Sequence, residues 1–245
     1  MAESYIPADW PVSAKIHAWQ TTRLSGHSLD DYGGLNLATT VGDEADHVAR
    51  NRAQLASDLQ LPREPEWVRL VHGNRVLNVA ERTGLEPADA VYTDEAGRVL
   101  LIPTADCLPV LFAASDKEVA AAHAGWRGLS AGVLENTVAQ FQSARDDIHA
   151  WFGPAIGPER FEVGEDVRDA FLLSHPGCEA AFTPLATEGK FLADLYLLAT
   201  QALARVGVKR LYGGQWCTFN DPRFFSYRRQ GQRCGRMASL IWFDA

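Results

Sequence analysis

Two histidines and a cysteine offer the chemistry most easily read in this chain. His72 stands in Leu70-Val71-His72-Gly73-Asn74, directly after an apolar β-type run. His123 closes a second such run in Ala120-Ala121-Ala122-His123-Ala124-Gly125-Trp126-Arg127-Gly128. Between them, Cys107 lies in Thr104-Ala105-Asp106-Cys107-Leu108-Pro109, at a strand entrance. Side chains at strand ends, beside glycines that let a ligand approach the backbone, are where sites are built. Imidazole and thiolate both ligate zinc, and three protein ligands leave a fourth position open for water or substrate. The separations of 35 and 16 residues match no compact finger or ribbon, which disfavours a structural site. The same atoms could instead pair Cys107 as nucleophile with a histidine base. A cysteine packed as a small apolar residue is the plain alternative.

A second concentration is the stretch Cys217 to Arg229, CTFNDPRFFSYRR, dense in aromatics and arginines. Guanidinium forks suit phosphate and rings suit a planar base, but a packed turn with solvated arginines has the same composition. Arg52 shares the otherwise apolar helical face of Val48, Leu55 and Leu59, so it is expected to point inward.

The elements that must position these residues are short. Ala14–Thr22 reads as a strand, followed by a polar loop from Ser25 to Asn36 whose Gly33-Gly34 pair invites positive φ. Asp43 is placed to cap a helix running to Leu59. Trp67–Val71, Val76–Val79, Ala90–Tyr92, Val99–Ile102, Pro109–Ala113 and Val119–Ala122 read as strands of a mostly antiparallel or mixed sheet. Helices are expected over Gly128–Phe141, Gly164–Leu173 and Leu192–Val206, with Leu192, Leu195, Leu198 and Leu203 on one stripe. Strands at Ile148–Phe152, Arg210–Tyr212 and Met237–Phe243 complete an α+β inventory. With no repeat, linker or low-complexity tract, 1–245 reads as one domain.

The 245 residues are 47% hydrophobic and 22% charged, with a net charge of −8, which argues against a general nucleic-acid binder. A few local arginines can still hold a small anion on an acidic protein. The N-terminal stretch has neither a basic n-region nor an apolar core, and no apolar run is long enough for a membrane span. Four cysteines in a chain of this length make no disulfide scaffold, so a reduced, cytoplasmic setting is expected.

The motifs VHGNRV, TADCLPVLF, AAAHAGWRG, GPAIGPERFEVG, CTFNDPRFFSYRR and GRMASLIW, in this order, resemble the YfiH-like family. Its members were long called multicopper polyphenol oxidases or laccases and are now described as purine nucleoside phosphorylases. The resemblance implies a four-layer α/β/β/α sandwich with two mixed sheets, similar to bacterial toxin deamidases that use Cys and His. It implies a zinc site on His72, Cys107 and His123, which would also be the catalytic residues. It further implies phosphorolysis of adenosine, inosine, guanosine and methylthioadenosine, with adenosine deamination as a side activity. Some relatives are linked to peptidoglycan precursor fidelity. Two departures stand out: Leu70 replaces the family's usual Gln before Val71-His72-Gly73, and the loop Arg229–Arg236 is one residue longer, with Cys234 where Thr is common.

Elementary chemistry weighs these readings. A multicopper oxidase holds several coppers on many imidazoles, whereas this chain has seven histidines and no His-x-His. A single copper in a His₂Cys site remains chemically reasonable on loading. Zinc would account for deamination by lowering the pKa of bound water to about 7, although the usual nucleobase-deaminase signature is absent. Phosphorolysis needs an anion held near the ribose C1′ and a stabilised leaving purine. Arg52, Arg127 and Arg228 are the anion-binding candidates, and Phe225 or Tyr227 the ring on which the base stacks. The expected partners are purine nucleosides and phosphate, without nucleic acid or membrane, and the expected state is a monomer. The competing classes are a metal-free Cys–His hydrolase or amidase and an editing factor for cell-wall precursors.

Overall fold

The computed structural model describes residues 4–245; residues 1–3, where the stretch read for a leader begins, lie outside the described residues. In chain order the strands are β1 (Tyr5–Pro7), β2 (Ile16–Thr21), β3 (Val76–Asn78), β4 (Ala90–Thr93), β5 (Leu100–Thr104), β6 (Leu108–Ala114) and β7 (Glu118–Ala124). They continue with β8 (His149–Phe152), β9 (Glu162–Gly164), β10 (Phe182–Pro184), β11 (Lys190–Ala193), β12 (Arg210–Gly213) and β13 (Met237–Phe243). The helices are α1 (Ala45–Asp58), α2 (Trp126–Ser130), α3 (Val133–Gln140), α4 (Glu165–Ser174), α5 (Leu195–Arg205) and α6 (Tyr227–Gln230).

The strands build a six-stranded sheet in the order β12-β8-β6-β7-β4-β3 and a four-stranded sheet in the order β1-β2-β13-β5. The larger sheet is mixed, with parallel pairs only at its two edges. The smaller is wholly antiparallel, unlike the mixed sheet expected of it. A third sheet, β10-β11-β9, is antiparallel and was not anticipated.

Period-two alternation fixes the layers. Leu111 and Ala113 of β6 turn inward, into one cluster with Leu100 and Ile102 of β5 and Ile241 and Phe243 of β13. Their neighbours Val110 and Phe112 turn the other way, into the cluster of Leu134 and Val138 from α3 and Leu198 and Leu203 from α5. On the far side, Leu101, Leu240 and Trp242 of the smaller sheet cover Leu55 of α1. The result is an α+β fold with the layer order α/β/β/α.

Local chemistry moved several boundaries. Asp43 does not cap α1; its carboxylate accepts from Ser28 Oγ at 2.5 Å and Asn36 Nδ2 at 2.8 Å. The helix expected from Gly128 to Phe141 breaks into α2 and α3 at Gly132, whose φ of +87° leaves the helical region. The stripe beginning at Leu192 also divides. Leu192 belongs to β11, and Asp194 then caps α5 by accepting from Leu197 N at 3.0 Å. Trp67–Val71 is not a strand; it makes one isolated bridge, at Arg69, with another just before it at Glu66, and the following residues run as a loop. No helix among the described residues is long and apolar enough to cross a membrane.

Candidate metal centre

The β6–β7 hairpin explains how Cys107 meets His123. Leu108 opens β6 opposite Ala124 at the end of β7, so Cys107, one residue before β6, lies at the same end as His123. His72 arrives from the loop before β3. The ligand atoms of the three lie within 4.8 Å of one another, and among the described residues this is the one His/Cys/Asp/Glu group so arranged. The two imidazoles meet edge to face with centroids 4.9 Å apart.

The glycines around the centre are there for close approach. A Cβ on Gly125 would sit 3.0 Å from Cys107 Sγ, and one on Gly128 would sit 2.5 Å from Gly73 O. Any larger residue at Gly128 would push away the loop that carries His72.

Asp89 is the residue that sequence reasoning missed. It is fully buried just before β4. Its Oδ1 accepts from His72 N and binds His123 Nδ1, both at 2.9 Å. Its Oδ2 accepts from Gly73 N at 2.8 Å and Val71 N at 3.2 Å. One carboxylate thus gathers the His72 loop and, by accepting a hydrogen bond from Nδ1–H, leaves Nε2 as the candidate ligand atom of His123. His72 has a φ of +58°, a left-handed conformation costing a non-glycine residue about 1–2 kcal/mol, which these backbone hydrogen bonds offset. The available signal was an acid buried between apolar neighbours in Pro87-Ala88-Asp89-Ala90.

Electrostatics couples the donors to one another. Burial alone raises the Cys107 thiol, but the facing His123 and then His72 outweigh it and bring it down to about 6. Burial lowers His123, yet Cys107 and Asp89 more than reverse this and raise it to about 9. A soft thiolate and two imidazoles suit a borderline divalent metal such as zinc or copper and leave coordination positions open.

Above the three donors opens a cavity of about 490 Å³, whose walls include Thr104, Asp106, Arg127, Phe161, Tyr227 and Arg228. Of the expected substrate-binding residues, Arg127, Tyr227 and Arg228 are brought to it. Arg127 is exposed, stacks over Trp126 at 4.3 Å, and has no carboxylate partner among the described residues. Arg228 donates Nη2 to Glu162 O at 3.1 Å, and its backbone N donates to Asp106 Oδ2 at 2.6 Å. Asp106, at φ +90°, also accepts from Thr218 Oγ1 at 2.6 Å and so ties the Cys107 loop to the segment after Cys217. Thr104 Oγ1 is buried on the cavity wall without a hydrogen-bond partner.

Two expectations are corrected. Phe225 is fully buried with Ala105, Phe224, Cys234 and Met237 and lies under the Arg23 guanidinium, so it is a core ring and offers no face to the cavity. Arg52 does point inward, but it lines an adjoining chamber instead of the metal cavity. Arg236, not anticipated as a site residue, lines both.

Comparison with known proteins places this geometry. Residues 17–244 match the family model described as multi-copper polyphenol oxidoreductase laccase. The chain is 49% identical over 242 residues to a purine nucleoside phosphorylase of Haemophilus influenzae, covering 98% of this chain and 99% of that one. It is 48% identical over 245 residues to the purine nucleoside phosphorylase YfiH of Escherichia coli, covering 99% of each. A Neisseria meningitidis crystal structure superposes with a TM-score of 0.94 at 46% identity, covering 99% of this chain and 100% of that one. YlmD from Geobacillus stearothermophilus superposes with a TM-score of 0.92 at 31% identity, covering 100% and 98%. The chain belongs to the YfiH family.

Proposed function

We propose that this chain is a zinc-dependent purine nucleoside phosphorylase acting on adenosine, inosine, guanosine and methylthioadenosine, with adenosine deamination as a side activity. The observation that carries the reading is a His₂Cys donor set at the base of a cavity whose arginines lack carboxylate partners among the described residues. The names of relatives at 48–49% identity over 98–99% of the chain support its phosphorylase part. His72, Cys107 and His123 would hold the metal, which supplies Lewis-acid stabilisation of developing negative charge when bound.

The protein's own groups account for the rest of the reaction. Arg127 and Arg228 hold phosphate by charge-assisted hydrogen bonds near the ribose. A phosphate oxygen bonds to C1′ as the C1′–N9 bond breaks, and the electron pair leaves with the purine, which takes up a proton. Tyr227 offers its ring to the base, and Thr104 Oγ1 finds in the ligand the partner that the protein does not give it. Asp89 keeps His123 in the tautomer that faces the cavity.

The test supplies metal-verified protein with inosine and phosphate. Hypoxanthine and ribose-1-phosphate should appear well above a Cys107→Ala control, and equal yields would sink the reading. Adenosine separates the activities: adenine that depends on phosphate reports phosphorolysis, and inosine formed without it reports deamination.

The depressed Cys107 thiol facing a raised His123 favours a second reading, a metal-free cysteine hydrolase or amidase. Chelation separates the two. Loss of activity with EDTA and return with one equivalent of zinc supports the metal enzyme; full activity in EDTA supports the thiolate.

A further inference from the structure

Beside the metal cavity lies a second chamber of about 380 Å³, for which the phosphorylase reading has no use. The two share a rim of Leu70, His72, Pro103 and Arg236, so a ligand seated over the metal donors abuts the second space. Each chamber falls within the range of ordinary small-molecule sites.

The chemistry of the second chamber is one-sided. Arg52, Arg69 and Arg236 line it together with the hydroxyls of Thr39 and Thr40, and no carboxylate does. Arg52 is held rigidly, its Nε and Nη2 donating to Leu37 O at 3.0 and 2.9 Å and its plane lying 3.6 Å over the Trp67 ring. This leaves Nη1 without a hydrogen bond. The acid Glu64 accepts from Trp67 Nε1 at 3.0 Å. Arg69 is fixed through its backbone, which donates to Glu86 O and accepts from Ala88 N, while its side chain is exposed and makes no ion pair or hydrogen bond among the described residues. Three arginines on a wall without a carboxylate, with Glu64 as the acid that acts on Arg52, form a local anion seat in a protein of net charge −8.

We propose that the second chamber seats a phosphate monoester carried on the 5′ position of a purine nucleoside, so that the site binds nucleoside 5′-monophosphates. The proposal rests on the nucleoside reading of the metal cavity. Free phosphate already has its place there beside Arg127 and Arg228. A second anion seat across a shared rim fits a ligand with a nucleoside at one end and a charge at the other.

The test is equilibrium binding, by calorimetry on the zinc-loaded protein, of inosine, inosine 5′-monophosphate and inorganic phosphate. The monophosphate should bind at least about tenfold tighter than inosine, the increment expected of one or two charge-assisted hydrogen bonds. Arg69→Ala should remove most of that advantage, and Arg69→Glu should turn it into a penalty, with melting temperatures unchanged because Arg69 is exposed. Equal affinity for inosine and its monophosphate, or an advantage that survives Arg69→Ala, overturns the proposal. So does inorganic phosphate showing the whole Arg69-dependent affinity by itself. Inosine phosphorolysis is followed in parallel. Its absence alongside an Arg69-dependent preference for the monophosphate sinks only the phosphorylase reading, and no binding of either nucleoside ligand sinks both.

Discussion

Strand β7 has a buried carboxylate near each end, and the two are used differently. At its start, Glu118 accepts from Tyr92 Oη at 2.6 Å, from Gln142 N at 2.7 Å, from Ser143 N at 3.0 Å and from Ser143 Oγ. Near its other end, Asp89 takes three backbone N–H groups and the His123 ring. As carboxylates both are fully satisfied, and each fastens a loop to the sheet. The loops differ. The one on Glu118 follows α3 and carries no ligand atom. The one on Asp89 holds His72 in a left-handed conformation, beside a cavity with Thr104 Oγ1 unpartnered. Satisfaction of a buried acid therefore does not separate structure from function. Backbone strain does not either, since Ser115 and Asp116 precede Glu118 at φ +50° and +55°; the gathering of ligand-type side chains beside Asp89 and the unpartnered Thr104 Oγ1 on the cavity wall do.

Breaking the site end first should give the largest effect. Cys107→Ala removes one of the three proposed ligands, and phosphorolysis of inosine should fall to the uncatalysed background, with zinc lost on dialysis by elemental analysis. Asp89→Asn comes next. Whichever way the amide turns, its NH₂ faces two donors, and an NH₂ beside His123 Nδ1 would favour the tautomer that withdraws Nε2 from the metal. Zinc affinity in a chelator competition should drop by roughly 10–100-fold. Unchanged affinity would reduce Asp89 to the role of Glu118.

The site's position could be read in the residues only where side-chain chemistry and local pattern coincide. His72, Cys107 and His123 each pair a ligand type with a strand end or a neighbouring glycine, and the hairpin brings two of them together. Asp89 has no such pattern; its importance comes from four donors that converge only after the loop at 70–74 folds back. Phe225 misled because aromatic density has the same appearance in a stacking platform and in a core. The sheets follow the same rule. Met237–Phe243 is recognisable as a seven-residue run whose apolar character is interrupted only by Ser239, whereas β9, β10 and β11 are three or four residues long and exist through pairing with one another. A helical stripe also ran through Leu192 by coincidence of spacing, until Asp194 supplied the cap that begins α5.

Arg127→Ala tests the cavity wall between the two ends. It should raise the KM for phosphate by about tenfold while changing kcat less, because the contact proposed for it would bind the anion in both ground and transition states. A fall confined to kcat would place Arg127 against the leaving purine instead.

Glu118→Gln should have the smallest effect on activity, and it sharpens the comparison through pH. Burial pushes the Glu118 carboxyl up, but Ser143, Tyr92 and the backbone of Gln142 outweigh it and hold the carboxyl below its ordinary value. A group depressed in the folded state stabilises the fold above its unfolded pKa, and that contribution disappears as pH falls through the folded pKa. The variant should therefore be less stable than wild type by about 1–3 kcal/mol near neutral pH. The gap should narrow below about pH 4, where the unfolded carboxyl becomes protonated. Denaturant melts at several pH values measure it, with inosine turnover unchanged at temperatures where both proteins are folded. A gap that widened in acid would mean that Glu118 is not a stabilising anion. A loss of turnover in the folded variant would mean that the two ends of β7 are coupled, and the contrast between them would fail.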